Sequence, residues 1–435
     1  NEMVRRGNRT RIQDEKIYQF LNKIQKVAFT LNPFIVEVSE ELERQGKKVG
    51  KFQPIEEHDL PPKPFDIATN EDARKAYRRA AAEVMNRNAQ EFKRSCRTRM
   101  TMEAVQRFKK RERFFIPWSL DYRGRAYPIP AFLTPQCTDW GKSLLRFADG
   151  SFMTPEAEGW LAFQVATTYG LDKKTMEDRQ EWVKNNIDLI TRVATDPITN
   201  LADWEAADEQ WQFLAACDEY YHCVITCNRH HTSLCVATDA TCSGLQILAG
   251  LSRDASCARL VNVLPSEEPQ DAYKVVAETA TPYCPASIQP YMDRKVCKKV
   301  VMTVPYNSKP FSNRGYIRDA LKDKDVEISK DDLTATVKAV RHAMDEVVPG
   351  PMTVMSWIEK EVAKAIKRGD TEIQWVTPSG FVVTQKLMKK LTQVCDLKIL
   401  GRCEVKIATG DSDKVDINHH KNATSPNLIH SLDAS

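Results

Sequence analysis

HTSLCVATDATCSGLQILAG, residues 231–250, passes from a short β-branched apolar run, through a cluster of small residues, into an apolar helical pattern. The run is expected to form a buried strand that ends at Asp239, with a small-residue turn and a helix behind it. Patterns on both sides are helical, from Pro155 to about Thr195 upstream and from Ala272 to about Leu321 downstream. The expected fold is therefore mixed α/β and helix-dominated, with a small sheet near the middle.

Further out, Lys16–Phe29 carries Ile17, Phe20, Leu21, Ile24 and Val27 at helical spacing, and Asn70 stands as an N-cap before EDARKAYRRAAAEVM. The prolines of DLPPKPFDIATN make the stretch between them a connector. Lys93–Arg113 holds nine basic residues against two acidic, which suits either a solvated helix face or a phosphate-tracking surface. FFIPWSLDYRGRAYPIPAFLTP reads as strands and loops, and EIQWVTPSGFVVTQ after Asp370 as a β-ribbon.

Composition excludes several classes. No run approaches the ~18–20 apolar residues of a bilayer span, and NEMVRRGNRTRIQDEK has no apolar signal region. Sixty-three basic against 59 acidic side chains leave only +4, so a polyanion would have to be met by local clusters. Twelve cysteines without a secretory signal read as reduced thiols, and the Cys217, Cys223, Cys227, His230, His231 group lacks the paired spacing of a structural zinc site.

Four segments can carry chemistry. Asp239, beside small residues that let a ligand approach the backbone, offers the hard oxygen that Mg²⁺ prefers; an Asp there also suits a helix cap. Arg294, Lys298, Met302 and Tyr306 recur at i, i+4 and form one drifting stripe of two cations, a thioether and a phenol. Such a stripe suits a nucleoside triphosphate, and equally a helix with one basic and one apolar face. Pro305 is expected to end or kink that helix just before Tyr306. In Asp121-Tyr122-Arg123-Gly124-Arg125, two arginines flank a glycine beside an Asp that can orient them, and His430 lies on the apolar face of NLIHSLD.

In this order, DYRGR, TDATCSGLQ with VNVLPSEEPQDAY, RKVCKKVVMTVPYNSK and SPNLIHSLD resemble the bacteriophage-type single-subunit DNA-directed RNA polymerases, a family with mitochondrial and plastid members. The resemblance implies a right-hand polymerase with a small antiparallel palm sheet. It implies a thumb-like helical region over 1–112, palm over 113–267, fingers over 268–430 with a promoter-reading ribbon at 372–407, and the start of a further palm segment at 431–435. Asp239 and the Ala240 carbonyl would hold magnesium, in a site using two ions. Lys298 would be a catalytic acid, with Arg294, Met302, Tyr306 and His430 around the nucleotide and Arg123 and Arg125 on the template–product hybrid. Asp396, Lys398, Arg402, Glu404 and Lys406 would read the promoter. Implied partners are promoter and template DNA, RNA product and ribonucleoside triphosphates, with no membrane, and the implied location is the cytoplasm of an infected bacterium.

Two features depart from that pattern. Asn307 stands where the family has glycine, though Asn tolerates positive φ. The family's second catalytic carboxylate lies downstream of the position of His430, and no matching segment is found before Ser435. By itself the chain is therefore expected to be inactive, with a second chain or further sequence supplying that group. Two rivals stand beside this reading: a family-A-like DNA polymerase, and a nucleic-acid-binding subunit of a split polymerase. Small residues after Asp239, where the DNA polymerases place a Glu against the 2′-hydroxyl, favour ribonucleotides.

Overall fold

The computed structural model describes residues 14–266, 268–397 and 403–435. The chain runs α1 (Glu15–Ile24), β1 (Ala28–Leu31), α2 (Pro33–Arg44), α3 (Glu71–Phe108), β2 (Phe114–Phe115), β3 (Trp118–Leu120), β4 (Ala126–Pro128), α4 (Asp139–Ser143), β5 (Leu145–Phe152), α5 (Pro155–Tyr169), α6 (Met176–Asn185), α7 (Ile187–Thr195), α8 (Leu201–Glu205), α9 (Gln210–Tyr220) and β6 (His231–Leu234). It continues through α10 (Ser243–Ser252), α11 (Ala255–Leu260), α12 (Ala272–Ala280), α13 (Arg294–Thr303), α14 (Pro310–Lys322), α15 (Lys330–Val347), α16 (Pro349–Lys367), β7 (Ile373–Val376), β8 (Val382–Gln385), β9 (Met388–Leu397), β10 (Cys403–Val415) and α17 (Ile417–Asp433). The fold is mixed α/β, helix-dominated, with small antiparallel sheets. Among the described residues no helix is long and apolar enough to cross a membrane.

Two compact units divide the chain. One comprises Leu21–Ser119 with Tyr127–Thr238; the other comprises Leu120–Ala126 and Asp239–Ser435 with the segment ending at Phe20.

In the first unit, Asn70 caps α3 by accepting from the amides of Asp72 and Ala73, and the helix then runs 38 residues to Phe108. Only its C-terminal part is buried, through Thr98, Thr101, Met102 and Val105, so most of its length is solvated and carries charge. The core gathers Phe52, Trp140, Trp204 and Trp211, whose rings lie 4.8–6.2 Å apart. These three indole N–H groups each have an acceptor: Ser39 Oγ for Trp140, the Pro197 carbonyl for Trp204, the Val49 carbonyl for Trp211.

The sheet of this unit has the order β2-β1-β5-β6, with Phe29 paired to Phe147 and Arg146 to Leu234. Two expectations are corrected here. The helix predicted through Phe29 stops at Ile24, because Ala28–Leu31 is drawn into the sheet between β2 and β5. The strand predicted to end at Asp239 stops at Leu234, and it is an edge strand of intermediate burial. Side chains take the place of a further ladder: the Ser233 amide donates to Glu219 Oε1 at 2.9 Å and the Ala237 amide to Gln164 Oε1 at 3.1 Å. Glu219 is itself buried and is balanced by Arg146 at 3.0 Å and Arg229 at 3.2 Å.

In the second unit, Val296, Val300, Val301 and Val304 of α13 and the turn after it pack against α10, α12, α14 and α15 in one apolar cluster. Each fully buried valine contributes about 1.5–3 kcal/mol. That burial fixes which face of α13 points outward. The described residues between 372 and 407 fall in the β7–β8 hairpin and the antiparallel β9–β10 pair, the latter reaching Val415.

Candidate active site

The candidate residues for catalysis, nucleotide binding and hybrid contact all fall in the second unit. Asp293 caps α13 by accepting from the Val296 amide at 3.1 Å. With the valine face buried, Lys298 and Met302 are exposed and Arg294 partly so. Among the described residues the Lys298 ammonium makes no hydrogen bond or ion pair. As Pro305 requires, the α-helix ends at Thr303 and Val304–Tyr306 form a 3₁₀ turn. Asn307 closes it in the left-handed region, φ 63° and ψ 33°, as its side chain permits.

The segment that follows Asp239 touches both ends of this line. At one end, Tyr273 Oη donates to the Thr241 carbonyl at 3.1 Å, and the Arg294 guanidinium sits 5.3 Å from the Tyr273 ring centroid. Burial pushes the Tyr273 phenol well up, so it stays a donor. Arg294 Nε also donates to Asp271 Oδ2 at 2.5 Å. At the other end, Ser243 Oγ and Tyr306 Oη are hydrogen-bonded at 3.2 Å. Gly244 lets them come close: a Cβ there would lie 3.2 Å from Tyr306 Oη and 3.0 Å from Pro305 Cβ, so the turn would have to give by a few tenths of an ångström.

Tyr306 stacks on His430 of α17, with ring centroids 4.6 Å apart and planes at 10°. The Asp121–Arg125 turn lies close enough to His430 for its charges to act on the imidazole. Buried Asp121 accepts from Arg123 Nε at 2.9 Å and from the Arg123 and Arg125 amides at 2.9 and 3.1 Å, while Arg125 pairs with Asp433. Gly124 takes φ 93° with the Phe381 ring 3.3 Å from its would-be Cβ, a place only glycine fills easily. Burial first, then the Arg125 and Arg123 charges, hold the His430 pKa at about 4 against an ordinary 6.5.

His430 is therefore neutral at pH 7. Between about pH 6.5 and 4 the unfolded chain takes up a proton that the folded chain refuses, so stability rises with pH across this window and is lost as pH falls. Thermal melts from pH 7 to 4.5 should show the wild-type melting temperature falling more steeply than that of His430→Gln. Parallel curves would contradict this assignment.

Asp239 is exposed, and one of its oxygens accepts from the Ala240 amide at 2.9 Å. A carboxylate with a neighbouring carbonyl and water is a donor set that Mg²⁺ accepts. Among the described residues, however, no group of three or more His, Cys, Asp or Glu side chains is gathered to hold a metal ion. These donors fit one hydrated ion.

Asp396, Glu404 and Lys406 lie on β9–β10, apart from this constellation; Asp396 and Glu404 are register partners, and Lys406 follows Glu404 on the same face. Lys398 and Arg402 lie outside the described residues. The site also includes residues that motif reading alone did not single out: Asp271 and Tyr273 around Arg294, and Ser243 on Tyr306. An Asp capping a helix within PQDAY was the available signal for the first pair.

The profile of the DNA-dependent RNA polymerase family matches residues 153–435. Similar proteins include the DNA-directed RNA polymerase of Enterobacteria phage T3, 28% identical over 97% of this chain and 54% of its own length. T7 RNA polymerase of Escherichia phage T7 is 27% identical over the same shares. A chloroplastic/mitochondrial DNA-directed RNA polymerase 2B of Nicotiana tabacum is 26% identical over 100% of this chain and 44% of its own. The chain spans about half the length of these relatives. Its ordered motifs and the family profile across well over half of its residues make it a member of the DNA-dependent RNA polymerase family, of the phage-type single-subunit kind.

Proposed function

We propose that this site adds ribonucleotides to an RNA chain on a DNA template. One observation carries the reading: residues 241–243, next to Asp239, hydrogen-bond both to Tyr273 beneath Arg294 and to Tyr306, at the two ends of the cation-to-phenol line. A triphosphate laid along α13 would then meet the carboxylate, the cations and the phenol in turn.

In the reaction the primer 3′-hydroxyl attacks the α-phosphorus, loses its proton, and the bond to pyrophosphate breaks. Asp239 and the Ala240 carbonyl would hold magnesium, which supplies charge neutralisation and a more acidic hydroxyl. Arg294, oriented through Nε by Asp271, turns its other N–H donors to the phosphates, and Lys298 gives a proton to the leaving pyrophosphate. Tyr306, four positions beyond Met302 on the line and stacked on His430, meets the sugar. Arg123 and Arg125, splayed by Asp121 and Asp433, hold the template–product backbone. Two-ion catalysis calls for a further carboxylate beside Asp239, in cis or from a second chain.

The same reading assigns the long helix α3 to a thumb, the sheet to a palm, α12–α17 to fingers, and Asp396, Glu404 and Lys406 to promoter contact. The phage relatives' slightly higher identity supports action in the cytoplasm of an infected bacterium.

Primer extension tests the proposal. An enzyme completed with the second carboxylate should extend with ribonucleotides and discriminate against deoxynucleotides, and Tyr306→Phe, which removes only the hydroxyl bonded to Ser243, should narrow that preference. A strong deoxynucleotide preference in the unmutated enzyme would instead favour a DNA polymerase.

A further inference from the structure

The turn after Tyr306 is held from two directions. On one side, Ser308 is tied down through Asn313 Nδ2 at 2.9 Å to its hydroxyl and Arg341 at 3.1 Å to its carbonyl, and both partners pack among α14 and α15. On the other side the holding group is the Asn307 side chain. Its Nδ2 donates to Glu359 Oε1 of α16 at 2.8 Å and to the Asn422 carbonyl of α17 at 3.2 Å, while Lys309 Nζ donates to its Oδ1 at 2.6 Å. Lys309 and Glu359 are themselves 3.4 Å apart, which closes a three-membered polar ring. The α17 helix so tethered is the one that carries His430, on which Tyr306 stacks.

A glycine at this position would supply the left-handed backbone at no steric cost and none of these bonds. Asn pays for the same conformation and adds links to two helices. We infer that Asn307 is a positioning residue: with Glu359 and Lys309 it clasps the turn to α16 and α17, and so fixes how firmly Tyr306 is held against His430 when it judges the incoming sugar. The role in sugar choice rests on the proposed reading of Tyr306; the clasp does not.

Two measurements separate these statements. In the 435-residue chain, Asn307→Gly should speed amide hydrogen exchange in peptides covering 304–309 and 420–430 by roughly threefold or more, while peptides from α12 stay as they were. Asn307→Asp sets a carboxylate against Glu359 and should exceed the glycine variant; adding Glu359→Gln returns a donor to the pair and should restore slow exchange. Wild-type exchange in Asn307→Gly, or no rescue by Glu359→Gln, overturns the clasp. In the completed enzyme, Asn307→Gly should lower the ribo-over-deoxy ratio of kcat/KM by roughly three- to tenfold, the scale of one lost hydrogen bond. An unchanged ratio overturns the role in sugar choice. If the unmutated enzyme extends no primer at all, the polymerase reading falls while the exchange data still decide the clasp.

Discussion

Replacing Asp239 with alanine should abolish nucleotide addition by the completed enzyme, by at least about 10³-fold, because the loss of a metal ligand removes several kcal/mol of transition-state charge stabilisation. Template binding should change by less than about twofold, since an exposed carboxylate contributes nothing attractive to a polyanion. The contrast between the two readouts is what identifies the role. A helix cap at this position would give the opposite result: lower stability, a modest loss of rate, and no selective effect on chemistry. The structure already weakens the cap reading, because Asp239 accepts from its neighbour Ala240 and α10 begins only at Ser243. Single-turnover extension beside a template-binding titration makes the measurement.

Lys298→Ala should slow the chemical step by a factor on the order of 10² to 10⁴ if its ammonium protonates pyrophosphate. It stands exposed on the outward face of α13, one turn beyond Arg294, and its charge is not committed to any described carboxylate. Arg294, by contrast, is held through its Nε by Asp271, which balances part of its charge and leaves the other guanidinium N–H groups to donate elsewhere. Losing Lys298 therefore removes a free cation. The distinguishing variant is Lys298→Arg, which keeps the charge but barely gives up a proton. It should retain nucleotide affinity and lose rate. Pulsed-quench kinetics that showed the arginine variant fully active would assign Lys298 to binding alone.

Local rules written in single residues were legible from the sequence. Asn70 caps α3, Pro305 ends α13, and Asn307 turns the chain through positive φ. Each depends on atoms within a few positions. What escaped depends on the partner of an edge. β6 stops at Leu234; its outer-edge Ser233 amide goes to Glu219 and, beyond the strand, the Ala237 amide goes to Gln164, and nothing in HTSLCVATDA announces side chains 14 and 73 residues away. The ribbon read in EIQWVTPSGFVVTQ was legible too, as the β7–β8 hairpin, and Lys386–Leu387 separates it from the β9–β10 pair that follows. Within the site, the i, i+4 stripe was visible as a stripe. Its supports were not, since Asp271 meets Arg294 across 23 residues and Ser243 meets Tyr306 across 63.

Iron-directed cleavage would test the convergence of Asp239 with the α13 line most directly. Fe²⁺ replacing Mg²⁺ on a bound ribonucleoside triphosphate generates hydroxyl radicals that cut backbone within a few ångströms, and mass spectrometry locates the cuts. Scission should fall both near Asp239 and between Lys298 and Tyr306, and Asp239→Ala should suppress the two together. Cuts confined to one of these segments, or indifferent to Asp239→Ala, would mean that carboxylate and helix do not share a metal-bound nucleotide.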